Sequence, residues 1–365
     1  MVEISLCMIV KNEEDVLARC LESVQGIADE IIVVDTGSND TTLHIAAQYA
    51  TVYTFPWKDD FAAARNYSFS KATKDYILWL DADDIFLEED RQKFRELKTS
   101  LTTETDMVMM KYNVAFDKDG NPTLSYYRER LLRRAMGYQW IGAVHEVIPQ
   151  EGHIVYSDIA VTHRKLHPSD PDRNLRIFEK LLKEGETLDP RQEFYYGREL
   201  YYHSRWEEAA RVFTAFLNEG RGWKENSISA CMDLCRCLEK LGRREEALLT
   251  LFRSFLYDPP RAEVCCEIGR LFMERQEYTS AIYWYEAACQ CNPEQAEASG
   301  AFVSPECYDF IPFMELCVCW DRLGDHRKAY SYHKKAQELR PESAGVQHNE
   351  VYCASHFPDL FHSQE

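Results

Sequence analysis

The chain has 365 residues, which exceeds one ordinary domain of roughly 100–200 residues and predicts two domains. Apolar residues make up 45% of the chain, which is enough to fill two cores and excludes a disordered or collagen-like protein. Acidic residues outnumber basic ones by 61 to 42 and give a net charge of −19, so we expect no nucleic acid partner.

The start of the chain and its apolar stretches predict a protein that is neither exported nor membrane-spanning. Residues 1–10 resemble a strand and not a basic segment followed by an apolar signal region. The apolar run 301–320 is interrupted by three acids, and the sequence contains no stretch of about 18 uncharged apolar residues. Thirteen cysteines without a recurring CxxC pair are typical of small core residues in a reducing compartment. We therefore expect a cytoplasmic location.

Up to about residue 170, short β-rich segments alternate with helical ones. The predicted strands are residues 4–10, 30–34, 51–55 and 76–80, and the predicted helices are residues 14–24, 41–49 and 62–71. This alternation predicts a mostly parallel sheet covered by helices. Two further strand-like segments, 106–116 and 123–133, flank the polar segment 117–122, which is typical of a hairpin turn.

From Pro190 onward the chain is predicted to be helical, and four segments repeat one pattern. Each segment is a helix, a short break and a second helix with an alanine near its start; the segments are residues 196–217, 230–257, 263–291 and 313–339. The repeated alanines are 38, 34 and 48 residues apart, so the pattern resembles the tetratricopeptide repeat with an insertion at 295–312. Such an array commonly holds a peptide on its concave side. The alternatives are an array that only supports the first domain or that forms a homodimer.

Two predicted strands of the first domain end in acidic residues. The strand at 31–34 ends at Asp35 and a tight polar turn, and the strand at 76–80 is followed by Asp81, Asp83 and Asp84. Open α/β sheets bind ligands at the carboxyl ends of their strands. Crowded carboxylates repel one another unless a divalent cation such as Mg²⁺ or Mn²⁺ lies between them. The cluster therefore predicts a metal-diphosphate site, with a helix N-cap among solvated acids as the alternative.

Several separate blocks together resemble the inverting glycosyltransferases of family 2, which have the GT-A fold. The blocks are residues 5–14, 34–40, 57–66, 80–84 and 140–146, and the likeness covers about residues 3–180. Within this family the blocks resemble a branch that contains peptide S-glycosyltransferases of glycocin biosynthesis, which have C-terminal repeats, and lipopolysaccharide-core glycosyltransferases. The resemblance implies an α/β GT-A (Rossmann-like) nucleotide-sugar domain at residues 1–180, followed by an all-α tetratricopeptide-like helical repeat domain at residues 181–365.

The resemblance also implies which residues bind the donor, a UDP-sugar. Asp35 is expected to accept the N3–H of uracil, and Arg65 is expected to lie near the nucleotide or its phosphates. Asp81 and Asp83 match the acids of the DxD motif, of which the second ligates Mn²⁺ or Mg²⁺. The residues implied to contact the UDP-sugar are Val10, Lys11, Asn12, Glu13, Asp35, Arg65, Asn66, Asp81 and Ala82, and those implied to hold the metal are Asp83 and His163.

An inverting transfer needs a base on the face of the anomeric carbon opposite the leaving diphosphate. Glu146 is the predicted base because of its place after the Trp/Gly segment, and His145 beside it is the alternative. His163 resembles the histidine that completes the metal shell in some GT-A enzymes, and an ordinary buried histidine is the alternative.

The predicted function is metal-dependent, inverting transfer of a sugar from a UDP-sugar to a peptide or protein side chain (Cys, Ser or Thr) held by the repeats. One alternative is transfer to a lipopolysaccharide-core or other cell-surface glycan. A second is a non-catalytic repeat scaffold with a degenerate sugar-nucleotide domain. A sugar-phosphate nucleotidyltransferase would open with a Gly-rich, basic phosphate loop after the first strand, and residues 11–14 do not form one.

Overall fold

The computed structural model describes residues 2–102, 104–118, 120–167 and 170–356. The chain divides into two compact units, Met1–Glu186 and Thr187–Glu365, which we call the sheet unit and the helical unit. Within the described residues, every helix is too short or too polar to cross a membrane. Residue 119 of the predicted hairpin turn lies outside the described residues.

The sheet unit is built on one mixed sheet of eight strands. The strands are β1 (Ile4–Val10), β2 (Glu30–Asp35), β3 (Thr51–Thr54), β4 (Tyr76–Trp79), β5 (Asp84–Ile85), β6 (Met107–Phe116), β7 (Pro122–Arg133) and β8 (Ile154–His163). Their order is β3-β2-β1-β4-β7-β6-β8-β5. Strands β1 to β4 are parallel, as predicted. The sheet is mixed because the predicted hairpin, β6 and β7, inserts beside β4 with β7 antiparallel to it.

Five α-helices belong to the sheet unit. They are α1 (Leu17–Ser23), α2 (Thr42–Ala46), α3 (Phe61–Phe69), α4 (Glu88–Ser100) and α5 (Arg173–Lys183). The first three confirm the predicted helices, with ends that differ by up to a few residues. The fourth helix, α4, has three acids in its first turn, and their negative charges stabilise the start of the helix through the helix dipole. It buries Phe94.

Strand β1 is buried on both faces, which explains its nearly continuous apolar sequence. Leu6 and Met8 pack into one core with helices α1 and α4. Cys7 points to the other face and packs with Trp79 and Trp140. The carboxyl end of β1 therefore lies at the centre of a rigid sheet edge.

The helical unit is built mainly of helices that pack in successive pairs. The helices are α6 (Pro190–Tyr202), α7 (Trp206–Glu219), α8 (Lys224–Lys240), α9 (Arg244–Arg253), α10 (Ala262–Glu274), α11 (Tyr278–Ala288), α12 (Pro293–Ala298), α13 (Phe310–Arg322), α14 (His326–Leu339) and α15 (Ala344–His356). The four predicted repeats are the pairs α6/α7, α8/α9, α10/α11 and α13/α14. The predicted insertion contains α12 and a short 3-10 helix, Pro305–Tyr308.

The repeated alanines lie in the interior of the helical unit. Ala209, Ala247, Ala281 and Ala329 have no exposed surface. A larger residue is excluded at two matching positions as well, because a Cβ atom on Gly197 would lie 2.7 Å from the Phe213 ring, and one on Gly269 would lie 2.9 Å from the Tyr285 ring. The repeat pattern in the sequence therefore records close helix-helix contact.

Ion pairs connect the first helices of successive repeats in a charged ladder across α6, α8 and α10. Its rungs are Arg198–Asp233 at 3.5 Å, Arg236–Glu267 at 3.5 Å and Arg270–Glu239 at 2.7 Å. Each rung joins one repeat to the next.

Cysteines occupy the interior of both units, as predicted. All thirteen are free thiols, and all except the half-buried Cys289 and Cys291 are buried.

Candidate active site

A cleft of about 510 Å³ lies in the sheet unit, where β1 and β4 end. Ten of the thirteen residues predicted from the sequence line it: Val10, Lys11, Glu13, Arg65, Asp81, Ala82, Asp83, His145, Glu146 and His163. Most of the predicted donor-binding residues and all of the predicted metal and base residues thus share one cavity.

Asp83, Asp84 and His163 form a cluster on one side of this cleft. Pairing between β5 and β8 places Asp84 opposite His163. The Nδ1 atom of His163 lies 3.4 Å from Asp83 Oδ1 and 3.3 Å from Asp84 Oδ1. One ligand atom from each residue lies within 4.8 Å of the others. Two carboxylate oxygens and an imidazole nitrogen are a donor set that fits Mn²⁺ or Mg²⁺.

The charge of His163 balances these acids. Hydrogen bonds to Asp83 and Asp84 raise the pKa of His163 to about 9, against the opposing effect of burial. The ring is therefore protonated at neutral pH. Since only a neutral imidazole binds a metal, an ion that coordinated His163 would release this proton.

Behind the cluster, a fully buried ion pair fixes the acidic loop. Asp84 Oδ2 lies 3.1 Å from Arg130 Nη1, and neither side chain has any exposed surface. The same carboxylate accepts a hydrogen bond of 3.1 Å from the backbone N–H of Asp81. Arg130 also donates to the carbonyl oxygen of Trp79 and lies 3.8 Å from the Trp79 ring centre. This pair holds the loop from Asp81 to Asp84 against the sheet.

We expect Arg130→Met to destabilise the sheet unit strongly. Removing one partner leaves the Asp84 carboxylate buried without its counter-ion, and the free energy of unfolding should fall by about 3–5 kcal/mol. Urea unfolding followed by tryptophan fluorescence measures this. The matched control is Arg134→Met, which removes an exposed arginine four positions away and should change stability by less than about 1 kcal/mol. Equal stability of the two variants would contradict the structural role of the pair.

Arg65 joins the acidic loop to the predicted base. Its Nη2 lies 2.7 Å from Asp81 Oδ1, and its Nε lies 2.7 Å from Glu146 Oε1. The central carbon of the guanidinium group lies 5.2 Å from the Trp79 ring centre and 4.8 Å from the Trp140 ring centre. Burial opposes the charge of Arg65, but the two carboxylates outweigh it and raise the pKa of Arg65 above its usual value.

The ion pair with Arg65 also changes the pKa of Asp81. Burial raises the pKa of Asp81, whereas the charges of Arg65 and Arg130 lower it, with a net decrease to about 2. Burial and the charges of Asp83 and Asp81 raise the pKa of Glu13, which also lines the cleft, to about 7.

Helix α3, which begins within the block 57–66, positions Arg65 and Asn66. Asp60 caps the helix by accepting a hydrogen bond from the N–H of Ala63. Asn66 then exchanges two hydrogen bonds with the backbone of Trp140, at 2.8 and 2.9 Å. The block 57–66 therefore holds the segment 140–146 in place, and the Asn66 amide serves this purpose outside the cleft.

A short loop presents the two candidate bases. Residues Ile141 and Val147 exchange backbone hydrogen bonds at 2.9 and 3.0 Å and close the loop. Within it, Gly142 has φ +98° and His145 has φ +53°, a left-handed conformation that is uncommon for histidine. Both His145 and Glu146 consequently face the cleft.

Asn12 and Asp35, two of the residues predicted to bind the UDP-sugar, stabilise the loops beside the cleft and do not line it. The Asp35 carboxylate is 4% exposed and accepts hydrogen bonds from the N–H groups of Gly37 and Ser38, at 3.0 and 3.2 Å. The Asn12 side chain accepts one from the N–H of Asn39, at 2.8 Å. The Asp35 bonds stabilise the turn after β2, and the Asn12 bond joins the segment after β1 to that turn.

Residues 5–151 match the family model described as Glycosyl transferase family 2. The sheet unit contains a family 2 glycosyltransferase domain. The mixed sheet and the clustered site of this family 2 domain agree with the match, and the predicted family is confirmed.

Curated relatives share parts of this organisation. The SPbeta prophage-derived glycosyltransferase SunS of Bacillus subtilis is 28% identical over 68% of this chain and 61% of its own length. A TPR repeat-containing protein of Synechococcus elongatus is 47% identical over 28% of this chain and 25% of its own length. The chain thus spans less than two thirds of either relative. Among solved structures, YrrB, a TPR protein with an unusual peptide-binding site, is 18% identical, with a TM-score of 0.38 over 50% of this chain and 84% of its own, a likeness too weak to support an argument.

The sequence did not reveal several residues of the family 2 domain that line the cleft. They are Ile9, Thr36, Trp57, Phe61, Val144, Lys165, Arg173 and Asn174. Arg173 and Lys11 also line an adjoining cavity of about 370 Å³, together with Trp57. Arg173 begins α5, which has no characteristic sequence block, so only the tertiary structure could identify it.

Proposed function

We propose that the chain is a metal-dependent inverting glycosyltransferase that transfers a sugar from a UDP-sugar to a peptide or protein side chain (Cys, Ser or Thr). One observation carries the proposal: a single cleft in a family 2 domain is lined both by Asp83 and His163, which cluster with the buried Asp84, and by the candidate bases His145 and Glu146.

The donor is proposed to bind along the ends of β1 and β2. Val10 ends β1, Lys11 and Glu13 follow it, and all three line the cleft, so we assign them to the base and ribose. Asp35 accepts the uracil N3–H with the lone pairs that its own turn leaves available. Asp81 and Ala82 face the ribose and diphosphate.

Asp83 and His163 are proposed to hold Mn²⁺ or Mg²⁺, with Asp84 orienting the His163 ring from behind. When bound, such a cation stabilises the negative charge that develops on the departing diphosphate. Asp84 is suited to the supporting role because its other oxygen is already paired with Arg130.

Glu146 is proposed to act as the base. The acceptor heteroatom attacks the anomeric carbon opposite UDP, its proton passes to the Glu146 carboxylate, and the bond to the diphosphate oxygen breaks with its electron pair leaving on UDP. Arg65 positions Glu146 by its 2.7 Å ion pair. His145, on the same loop, is the alternative base.

The peptide or protein acceptor is proposed to bind the helical unit. Two features support this: the paired helices form the kind of array that commonly binds peptides, and the sequence blocks resemble the glycocin S-glycosyltransferases.

The decisive experiment incubates the purified chain with Mn²⁺, a panel of UDP-sugars and a lysate of its host. UDP release and mass spectrometry identify the donor and the modified acceptor, and Asp83→Asn serves as the inactive control. A hexose or N-acetylhexosamine added to a peptide supports the proposal, and addition to a glycan would correct the acceptor. If no donor yields UDP, the chain is a non-catalytic scaffold.

We expect Asp35→Ala to weaken UDP binding by about tenfold or more, because one hydrogen bond to a charged group contributes about 1.5–3 kcal/mol. Isothermal titration calorimetry measures the affinity, and a thermal melt checks that the loop bonds to Gly37 and Ser38 are not essential for folding. The control is Asp29→Ala, just before the opposite end of β2, which should leave the UDP affinity unchanged. An unchanged UDP affinity in Asp35→Ala would rule out the uracil contact.

A further inference from the structure

A second cavity, of about 370 Å³, adjoins the cleft in the sheet unit and is lined mainly by charged side chains. The basic ones are Lys11, Arg173, Arg176 and Lys180, and the acidic ones are Asp59 and Asp170. We call this cavity the basic pocket. Its excess of positive charge is a local exception in a chain whose net charge is −19. The protein as a whole therefore repels anions, whereas the basic pocket attracts them.

Ion pairs neutralise two of the four cations of the basic pocket. Arg176 Nη2 lies 2.5 Å from Asp170 Oδ2. Lys180 Nζ lies 2.7 Å from Asp59 Oδ2. The Asp59 carboxylate also accepts a hydrogen bond of 2.9 Å from the indole N–H of Trp57. Each acid of the basic pocket is thus paired with a cation, and Asp59 fixes the wall that contains Trp57.

The other two cations, Lys11 and Arg173, are not balanced by an acid of the protein. Neither forms an ion pair with a residue that the structure describes. The Nε atom of Arg173 is buried and, within the described parts of the chain, has no hydrogen-bond partner. Because buried donors are normally hydrogen-bonded, this atom indicates that a ligand completes the site. Both residues line the cleft as well as the basic pocket, so the unbalanced charge lies where the two cavities meet.

Contacts around helix α5 place Arg173 on the side of the cleft that contains the candidate bases. The guanidinium carbon of Arg173 lies 4.7 Å from the Phe61 ring centre. The N–H of Phe61 donates to the carbonyl oxygen of Ala143 at 2.8 Å, two residues before His145. On α5 itself, the Phe178 ring stacks on the His145 ring, with 6.4 Å between the ring centres. The acceptor, whose nucleophile must reach a base on this loop, therefore approaches beside the basic pocket.

We propose that the basic pocket binds the carboxylate of an acidic residue that neighbours the modified side chain in a peptide acceptor. The proposal rests on the proposed function, since it names the part of the acceptor that the sheet unit recognises. A guanidinium group binds a carboxylate through two parallel hydrogen bonds, and Lys11 adds a second positive charge. An extended peptide advances at most about 3.3–3.6 Å per residue, so an acid within about three residues of the modified side chain reaches the adjoining cavity.

The test measures peptide binding separately from sugar transfer. Two fluorescein-labelled peptides have a central serine, flanked on both sides by glutamates in one and by glutamines in the other. They are titrated with the full-length chain in the presence of UDP, and fluorescence anisotropy gives each affinity. We expect the glutamate peptide to bind about tenfold or more tightly, as for one hydrogen bond to a charged group, and the preference to decrease as salt is added. Equal affinities, tighter binding of the glutamine peptide, or binding of neither would overturn the proposal.

Substitutions at Arg173 assign the preference to the basic pocket. Arg173→Met keeps an aliphatic stem over Phe61 and should bind the two peptides about equally. Arg173→Lys keeps the charge but not the planar fork and should retain part of the preference. The matched control is Arg95→Met, which removes a half-buried arginine on α4 that pairs with Glu88 and should keep the wild-type preference. An Arg173→Met variant that still prefers the glutamate peptide would contradict the assignment, and the wild-type comparison stands independently if a variant fails to fold.

UDP release from a panel of UDP-sugars separates this proposal from the proposed function. If no donor is turned over while the wild type prefers the glutamate peptide, the proposed function is wrong and the acidic-peptide site stands. If a donor is turned over but the two peptides bind equally, the proposed function stands and the assignment of the basic pocket is wrong. A loss of UDP affinity in Arg173→Met with an unchanged peptide preference would assign Arg173 to the donor instead.

Discussion

Asp83→Asn is expected to lower sugar transfer by about 10³-fold or more while leaving the chain folded. The substitution preserves the size of the side chain and removes the negative charge that would bind the metal. Because a metal that stabilises the leaving group lowers the activation free energy by several kcal/mol, its loss should slow the reaction by this factor. Asp83 is partly exposed and its carboxylate contacts His163, so the core remains intact. UDP release with saturating donor and Mn²⁺ measures the loss.

Asp158→Asn is the matched control for this prediction. Asp158 lies on β8 as His163 does, but its side chain is 72% exposed and pairs with Lys93 on the surface. We expect its activity to equal that of the wild type. Full turnover of the wild type in EDTA, or an active Asp83→Asn variant, would exclude the metal site.

Glu146→Gln is expected to lower turnover by about 10²–10⁴-fold with nearly unchanged donor affinity, as for loss of a general base. Glutamine retains an oxygen that accepts the hydrogen bond from Arg65, so the geometry of the loop is preserved and only the proton acceptor is lost. Single-turnover kinetics and UDP calorimetry separate the two quantities. A thiol acceptor would reduce the effect, because cysteine ionises more readily than a hydroxyl.

His145→Ala discriminates between the two bases on the same loop. If Glu146 is the base, His145→Ala should retain far more activity than Glu146→Gln. An inactive His145→Ala together with an active Glu146→Gln would assign the proton transfer to His145 instead.

The strands and the cleft were predictable where the local sequence determines the structure. Strands β1, β2 and β4 are apolar because both faces of the sheet are covered, and the acids that follow them necessarily lie at one edge. The resemblance to family 2 supplied the other site residues, and ten of the thirteen predicted site residues line one cleft.

The remainder depended on contacts between residues that are distant in sequence. Arg65 and Glu146 are 81 positions apart, and neither residue type indicates that the two form an ion pair. Arg130 lies on a strand of mixed composition, and only the fold shows that it is the buried partner of Asp84. Asn66 belongs to a block that resembles the family, and its neighbour Arg65 lines the cleft as predicted. The Asn66 side chain itself hydrogen-bonds to the backbone of Trp140 outside the cleft.

The charged ladder across α6, α8 and α10 couples the first three repeats of the helical unit along one dimension. Every rung joins adjacent repeats, so each repeat is stabilised by its immediate neighbours, as in a linear chain of coupled spins. Opening at one end removes only the rung at that end and leaves the next repeat still coupled to its other neighbour. Hydrogen exchange should therefore be slowest at α8, which is joined by rungs on both sides, and faster toward α6.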